Sequence, residues 1–246
     1  MNATTGGSPT AHRTRIKICG LTREQDVDAA VAAGADAVGF VLYRKSARCV
    51  TPQRAAELCQ RLPPFVTPVL LFVNETAADV RSACEKVPAA CVQFHGDESP
   101  ADCLAATGNG VRPFMRAARI PLDESIPFDL LKFAAEYPQA QALLLDAHVE
   151  GYGGGGKAFN WSRLPPSVNC HLVLSGGLTP ANVTDGIVQV RPRCKSLAVD
   201  VSSGVEVDGP GHQGLKDPGK INRFVAAVRA ADALLADSTH AFLSAT

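Results

Sequence analysis

Arg15-Ile-Lys-Ile-Cys-Gly-Leu-Thr-Arg-Glu-Gln-Asp-Val-Asp-Ala-Ala-Val-Ala-Ala33 reads as a short apolar strand, a tight turn and a helix. The turn decides the fold. A doubly wound nucleotide-binding sheet carries a G-x-G-x-x-G turn after its first strand. Here the turn is Cys19-Gly20-Leu21-Thr22, with one glycine. The same strand–turn–helix unit then recurs along the chain. Strands are expected at Arg15–Ile18, Ala37–Val41, Thr67–Phe72, Ala90–Phe94, Val111–Arg116, Ala142–Leu145, His171–Leu174 and Leu197–Val199. Most are nearly continuous in Val, Ile, Leu and Ala, the pattern of strands covered on both faces.

Helices are expected at Arg23–Ala33, Pro52–Arg61, Thr76–Lys86, Pro100–Ala106, Glu124–Glu136, Pro180–Val188 and Pro218–Leu235. Thr51-Pro52, Ser99-Pro100, Thr179-Pro180 and Asp217-Pro218 each put a capping side chain before Pro at the first helical position, where its missing N–H costs nothing. Thr22 and Gln25 fit a capping box. The sixth interval differs: a glycine run, then only a short turn around Asn160–Leu164. Eight units of about 27 residues suit a single (β/α)8 TIM barrel. Its sixth helix is short or irregular, and a Gly-rich lid loop follows strand six. The expected organisation is a disordered tail over 1–14, a barrel domain over 15–235 and a C-terminal tail over 236–246.

Composition is that of a globular protein, 46% hydrophobic and 20% charged. Lys plus Arg and Asp plus Glu number 24 each, so no general electrostatic footprint favours nucleic acid or an anionic membrane. No apolar run reaches the length of a membrane span. The polar start Met1–Arg15 reads as no secretory signal. The eight cysteines form no C-x-x-C pair, which points away from zinc and towards a reduced, cytoplasmic protein.

Barrel active sites lie at the carboxyl ends of the strands, so polar residues just past each apolar run are the candidates. Gly176-Gly177 after strand seven and Ser202-Ser203-Gly204 after strand eight suit a phosphate, because glycines let backbone N–H groups approach an anion. Asp146 ends Leu143-Leu144-Leu145 and is placed for acid–base work or for capping its loop. Cys19 reads either as a small buried hydrophobe or as a catalytic thiol. Arg48 suits a carboxylate clamp or a solvated surface. His95 lines the pocket or bonds a backbone group, and Asp200 binds substrate or sits as a structural charge on the barrel floor. Gly151-Tyr-Gly-Gly-Gly-Gly-Lys157 resembles a nucleotide P-loop, but Ala158 replaces the Ser or Thr that would hold Mg²⁺. A mobile lid fits it better.

Together these segments resemble phosphoribosylanthranilate isomerase, the barrel of tryptophan biosynthesis, from about Arg15 to Phe224. The resemblance is carried by Lys17-Ile-Cys-Gly-Leu-Thr22, Lys45-Ser-Ala-Arg48, Val92-Gln-Phe-His-Gly-Asp-Glu98, Leu174-Ser-Gly-Gly-Leu178 with Pro180 and Asn182, and Val199-Asp-Val-Ser-Ser-Gly-Val-Glu206 with Lys216-Asp217. It implies an Amadori rearrangement by general acid–base catalysis, with Asp146 as acid, Cys19 as base and Arg48 on the anthranilate carboxylate. His95, Gly176, Gly177, Asp200, Ser202, Ser203 and Gly204 would complete the substrate site. It implies no metal and no organic cofactor. The partner would be a small phosphorylated molecule, with the chain a monomer or homodimer. A thiolate of pKa near 8.5 or below can take a proton from carbon beside an iminium. The chain departs from the family's pattern at Gly155 for Thr, Asn160 for Asp and Ala47 for Pro, and through an extended Val207–Leu215 loop. These departures leave every proposed catalytic group in place, and the first two should loosen the lid. Another sugar-phosphate isomerase barrel, using two carboxylates, is the nearest rival; Cys19 at the end of strand one favours the anthranilate enzyme.

Overall fold

Strands without polar alternation need cover on both faces, and closure into a barrel supplies it. The computed structural model describes residues 13–148 and 158–243. Its strands β1 (Arg15–Cys19), β2 (Ala37–Val41), β3 (Thr67–Phe72), β4 (Cys91–Phe94), β5 (Phe114–Pro121), β6 (Ala142–His148), β7 (Val168–Leu174) and β8 (Cys194–Val201) pair in parallel, each with the next. The ring closes where β8 pairs with β1, Ile16 beside Val199 and Lys17 beside Asp200. Outside it lie α1 (Glu24–Ala33), α2 (Pro52–Cys59), α3 (Ala77–Lys86), α4 (Pro100–Thr107), α5 (Leu130–Glu136), α6 (Val183–Val190) and α7 (Pro218–Leu243). Between β6 and β7 the described residues form only a single 3-10 turn, Trp161–Arg163. The expected (β/α)8 architecture with an irregular sixth unit is therefore the observed one. The lid expected over Gly151–Lys157, Gly155 included, lies outside the described residues.

Each strand serves two cores by its period of two. On β1, Ile16 and Ile18 join the apolar shell beneath the helices with Val38, Phe40, Leu70 and Phe72. The alternate residue Cys19 packs inside the barrel with Val41, Leu71 and Val73. Farther round, Ala117, Leu144 and Val173 fill the interior. Burying a large aliphatic or aromatic side chain contributes roughly 1.5–3 kcal/mol, so the shell supplies most of the driving force.

The caps at three Pro-started helices form as expected. Thr51 accepts from Arg54 N, Ser99 and Asp102 make a reciprocal capping box, and Asp217 accepts from Lys220 N. Two expectations are corrected. Thr22 does not cap α1; that helix starts one residue later, at Glu24, and Arg23 instead holds the Asp26 carboxylate with two hydrogen bonds. Thr179 does not start a helix at Pro180. Asn182 Oδ1 accepts from Thr179 N, and Asn182 N donates back to the Thr179 carbonyl, so the segment forms a hydrogen-bonded turn and α6 begins at Val183.

Strand five begins at Phe114 rather than Val111. Gly108 and Gly110 turn the chain with φ of 63° and 81°, leaving Val111 86% exposed, and Pro113 has no N–H to add to a ladder. Helix five begins at Leu130 rather than Glu124, because Pro127 forces the residue before it out of helical geometry and Asp129 then caps the start. The last helix runs past Leu235 to Leu243, where the sequence reading placed a tail. Ala226, Ala227, Ala230, Ala231, Ala233 and Ala236 make this a strong helix former.

The loops after β7 and β8 touch directly. A Cβ on Gly204 would lie 2.0 Å from the Leu178 carbonyl oxygen, so only glycine permits this approach. Gly204→Ala is expected to lower stability by about 1–3 kcal/mol through overpacking, read from urea unfolding. An unchanged midpoint would show that the two loops do not press on each other.

Candidate active site

The carboxyl ends of the strands bring the candidates into two groups. In the first, Cys19 ends β1, 3% exposed. Gly20 turns the chain with φ of 79°; a Cβ there would lie 2.5 Å from Arg48 Cδ and 3.1 Å from Ser202 Oγ. The thiol, the arginine after β2 and the serine after β8 therefore meet around one turn. Arg48 Nε and Nη2 donate to the two Glu206 carboxylate oxygens at 2.6 and 2.9 Å. Lys216 Nζ donates to Glu206 Oε1 at 2.9 Å and to the Ser202 carbonyl at 3.0 Å.

The extended loop Val207–Leu215 explains how Glu206 and Lys216 come together. An antiparallel bridge joins these two residues, and Val207 N donates to Leu215 O, pinching the loop at its base. Insertion length is tolerated there because both ends are fixed.

In the second group, Asp146 lies on β6 and His95 just past β4. His95 Nε2 is 2.8 Å from Asp146 Oδ2, and Gln93 Nε2 is 2.9 Å from His95 Nδ1. With the Gln93 amide donating to Nδ1, the ring N–H lies on Nε2 and donates to the carboxylate. Ala147 N donates to the other oxygen, Asp146 Oδ1. Gly176, with φ of 75°, lies against this carboxylate: a Cβ there would be 2.7 Å from Oδ1 and 2.5 Å from Ala147 N. Gly177 has φ of 66°, and its carbonyl accepts from Asn182 Nδ2. Ser203 and Gly204 lie in a 3-10 turn, Ser203–Val205, packed against the β7 loop.

Asp200 does not open onto this mouth with a free oxygen. Its Oδ1 accepts from Lys17 Nζ at 2.8 Å and its Oδ2 from Ser175 Oγ at 3.2 Å, both within the barrel. Asn160 keeps a structural task without the acid's charge, its Oδ1 accepting from Ser162 N and its Nδ2 donating to Glu124.

A sequence model of the N-(5'phosphoribosyl)anthranilate (PRA) isomerase family matches residues 16–227. The chain belongs to this family. It is 58% identical to the N-(5'-phosphoribosyl)anthranilate isomerase of Methylibium petroleiphilum, over 92% of this chain and 99% of that one. The phosphoribosyl anthranilate isomerase of Thermotoga maritima superposes with a TM-score of 0.71 at 36% identity, over 88% of this chain and 99% of that one. A phosphoribosyl anthranilate isomerase in complex with reduced 1-(o-carboxyphenylamino)-1-deoxyribulose 5-phosphate superposes with a TM-score of 0.68 at 33% identity, again over 88% and 99%. The chain is an isomerase of tryptophan biosynthesis.

Inspection of the positions after each strand misses four groups that pair with the candidate residues: Lys17, Gln93, Glu206 and Lys216. Lys17 and Gln93 interrupt apolar runs two residues before Cys19 and His95. Strand periodicity puts such pairs on one face, so a polar residue at that spacing was the available signal. Glu206 and Lys216 carry no positional signal, because their pairing depends on a loop of arbitrary length.

Electrostatics corrects one expectation. Burial pushes the Cys19 thiol up from its ordinary value, opposed by the charge of Lys17, with Asp200 pushing it up further and Lys216 pulling it down. The resting thiol is therefore not preset as a low-pKa thiolate. Burial also raises Glu206, but the Arg48 hydrogen bonds and the Lys216 charge outweigh it and hold this carboxyl at about 2. The associated stability is complete above the ordinary glutamate value of 4.5 and is lost as pH falls towards 2. Glu206→Gln is expected to be less stable than wild type by about 3 kcal/mol at pH 7. That gap should narrow below about pH 4, measured as unfolding midpoints from pH 7 to pH 3. A gap independent of pH would mean that Glu206 is not ionised in the folded protein.

Proposed function

We propose that the enzyme carries out the Amadori rearrangement of N-(5-phosphoribosyl)anthranilate with Asp146 as general acid and Cys19 as general base. The observation that supports this most is the placing of a buried thiol and a buried carboxylate on opposite parts of one barrel mouth, Cys19 on β1 and Asp146 on β6, with two glycine-bearing loops between them. Asp146, in its protonated form, gives its proton to the furanose ring oxygen as the C1′–O bond breaks, leaving an iminium at C1′ and a carboxylate at Asp146. Cys19, as thiolate, takes the C2′ proton. The electron pair of that bond moves towards the iminium and gives an enolamine. The Cys19 thiol then gives its proton to C1′ of the enolamine and the Asp146 carboxylate takes the C2′ hydroxyl proton, so the ketone forms and acid and base return to their starting states. The cationic intermediate is the electron sink.

Substrate recognition follows from the same geometry. Backbone amides of Gly176, Gly177, Ser203 and Gly204, with the Ser202 hydroxyl, are the groups we assign to the phosphate, since left-handed glycines and a tight turn expose N–H donors to an anion. Arg48 has five N–H donors, and Glu206 takes two of them. The remaining donors are assigned to the anthranilate carboxylate, while Glu206 fixes the plane of the guanidinium. His95 holds Asp146 in orientation. Asp200 contributes through Lys17 and Ser175 rather than by touching substrate. The reduced deoxyribulose phosphate held by the solved relative has the phosphate and the carboxyphenyl group that this division needs.

The catalytic unit is taken as residues 15–235. A small phosphorylated molecule is its partner, in keeping with a net charge of zero, and the cytoplasm its location. No described helix is long and apolar enough to cross a membrane.

Cys19→Ser and Asp146→Asn should each lower turnover about a hundredfold or more, the scale for a general acid or base, in a fluorescence assay of phosphoribosylanthranilate loss. Near-wild-type turnover in either variant would remove that residue from its role. Arg48→Ala should raise KM by about tenfold or more, the worth of one charge-assisted pair. An analogue lacking the carboxylate should bind wild type and variant alike; a full Arg48 effect on that analogue would refute the clamp.

A further inference from the structure

Lys17 is a lysine inside a barrel, only 4% exposed. Burying an ammonium costs several kcal/mol unless a partner is held in good geometry, and even a well-paired buried ion pair is often no more stabilising than apolar residues of the same volume. Stability alone gives no reason for the pair with Asp200. Its position suggests another. Lys17 and Cys19 lie two apart on β1, on the inward face. Both point at Gly39 of β2, where a Cβ would be 2.6 Å from the thiol sulfur and 3.0 Å from the ammonium nitrogen. The notch left by that missing side chain is what lets sulfur and ammonium share one space.

The charged surroundings of Cys19 can be named from every side. Lys17 is on its own strand and Asp200 on β8. Glu206 and Lys216 lie in the segment after β8, and Arg48 after β2. Val41, Leu71 and Val73 are apolar walls, with Tyr43 packed against them. Three cations face two anions. The excess positive charge is one, and a thiolate would neutralise it.

We propose that Lys17 is the positioning residue of the base: its ammonium, anchored on Asp200 and admitted by Gly39, is the counter-charge against which Cys19 releases its proton to solvent and becomes the thiolate that attacks C2′–H. The direction of the charges agrees. Lys17 favours the thiolate and Asp200 opposes it; burial pulls the lysine down, but Asp200 and Cys19 outweigh it and leave the lysine charged, its pKa raised above the ordinary value. Asp200 then has two opposed effects, holding the ammonium in the barrel and weakening its pull on the sulfur. This inference rests on the reading of Cys19 as base.

The test measures the thiol itself. Full-length protein is treated with iodoacetamide from pH 6 to pH 10, and alkylation of the Cys19 peptide is followed by mass spectrometry, with the half-buried Cys49 and Cys170 as internal controls. Lys17→Met should slow Cys19 alkylation at pH 8 about tenfold or more, one pK unit being a factor of ten, and leave the controls unchanged. Lys17→Arg should restore most of the rate. Asp200→Asn should move the Cys19 profile the opposite way, to lower pH. The pH at which kcat/KM rises should follow the alkylation profile in each active variant. If Lys17→Met fails to fold because Asp200 is left unpaired, the comparison of Asp200→Asn with Lys17→Met/Asp200→Asn decides the matter, both having no buried carboxylate at 200. An unmoved Cys19 profile on loss of the lysine, with only stability reduced, overturns the proposal. If instead Cys19→Ser keeps its activity, the base assignment falls, while the alkylation profiles still report whether Lys17 governs the sulfur.

Discussion

A charged pair sits at the seam where the barrel closes. Lys17 on β1 and Asp200 on β8 are register partners, and their side chains meet inside the barrel at 2.8 Å. The seam is where the two ends of the barrel sequence must find each other. A one-residue slip there would turn both charges into the apolar shell beneath the helices, because side chains alternate faces. The register that satisfies the pair also sets Cys19 beside the loop after β8. Closure and the geometry of the candidate site are thus set by one alignment.

Around that seam the site is held by charges that belong to the protein rather than to its substrate. Glu206 lies between Arg48 and Lys216, and Lys216 reaches the Ser202 carbonyl. The proposed clamp for a carboxylate and the proposed loop for a phosphate are therefore mechanically joined before any ligand arrives. Such preorganisation reduces the ordering needed on binding. Across the mouth, the row Gln93–His95–Asp146 gives the acid side a defined orientation through two hydrogen bonds. The two sides differ in kind. The Cys19 side is a cluster of charges, whereas the Asp146 side is a chain of amide and imidazole ending in one carboxyl group.

Glycine carries much of the precision. Gly39 makes room for sulfur and ammonium, Gly176 for the Asp146 carboxylate, and Gly204 for the Leu178 carbonyl. In each case the absent Cβ is replaced by a functional or backbone atom from another strand or loop. These positions read in the sequence as turns or as weak places in a strand, because the partner that fills the space is distant in the chain.

The apolar runs, the Pro-started caps at Pro52, Pro100 and Pro218 and the missing nucleotide turn after Arg15–Cys19 were enough to determine a barrel of alternating units, since periodicity and capping are local properties. Cys19, His95 and Asp146 were also legible, each lying at the end of a strand or just past it. Local signals failed where competition decided the outcome. Pro127 shortened α5, and an Asn182 side chain displaced the start of α6. Only the folded chain decided what each candidate faces: that Asp200 spends its oxygens on Lys17 and Ser175, that Arg48 already holds Glu206, and that Lys17 shares the Gly39 notch with Cys19. Such charges act over a few ångströms and across register, distances that sequence separation does not encode.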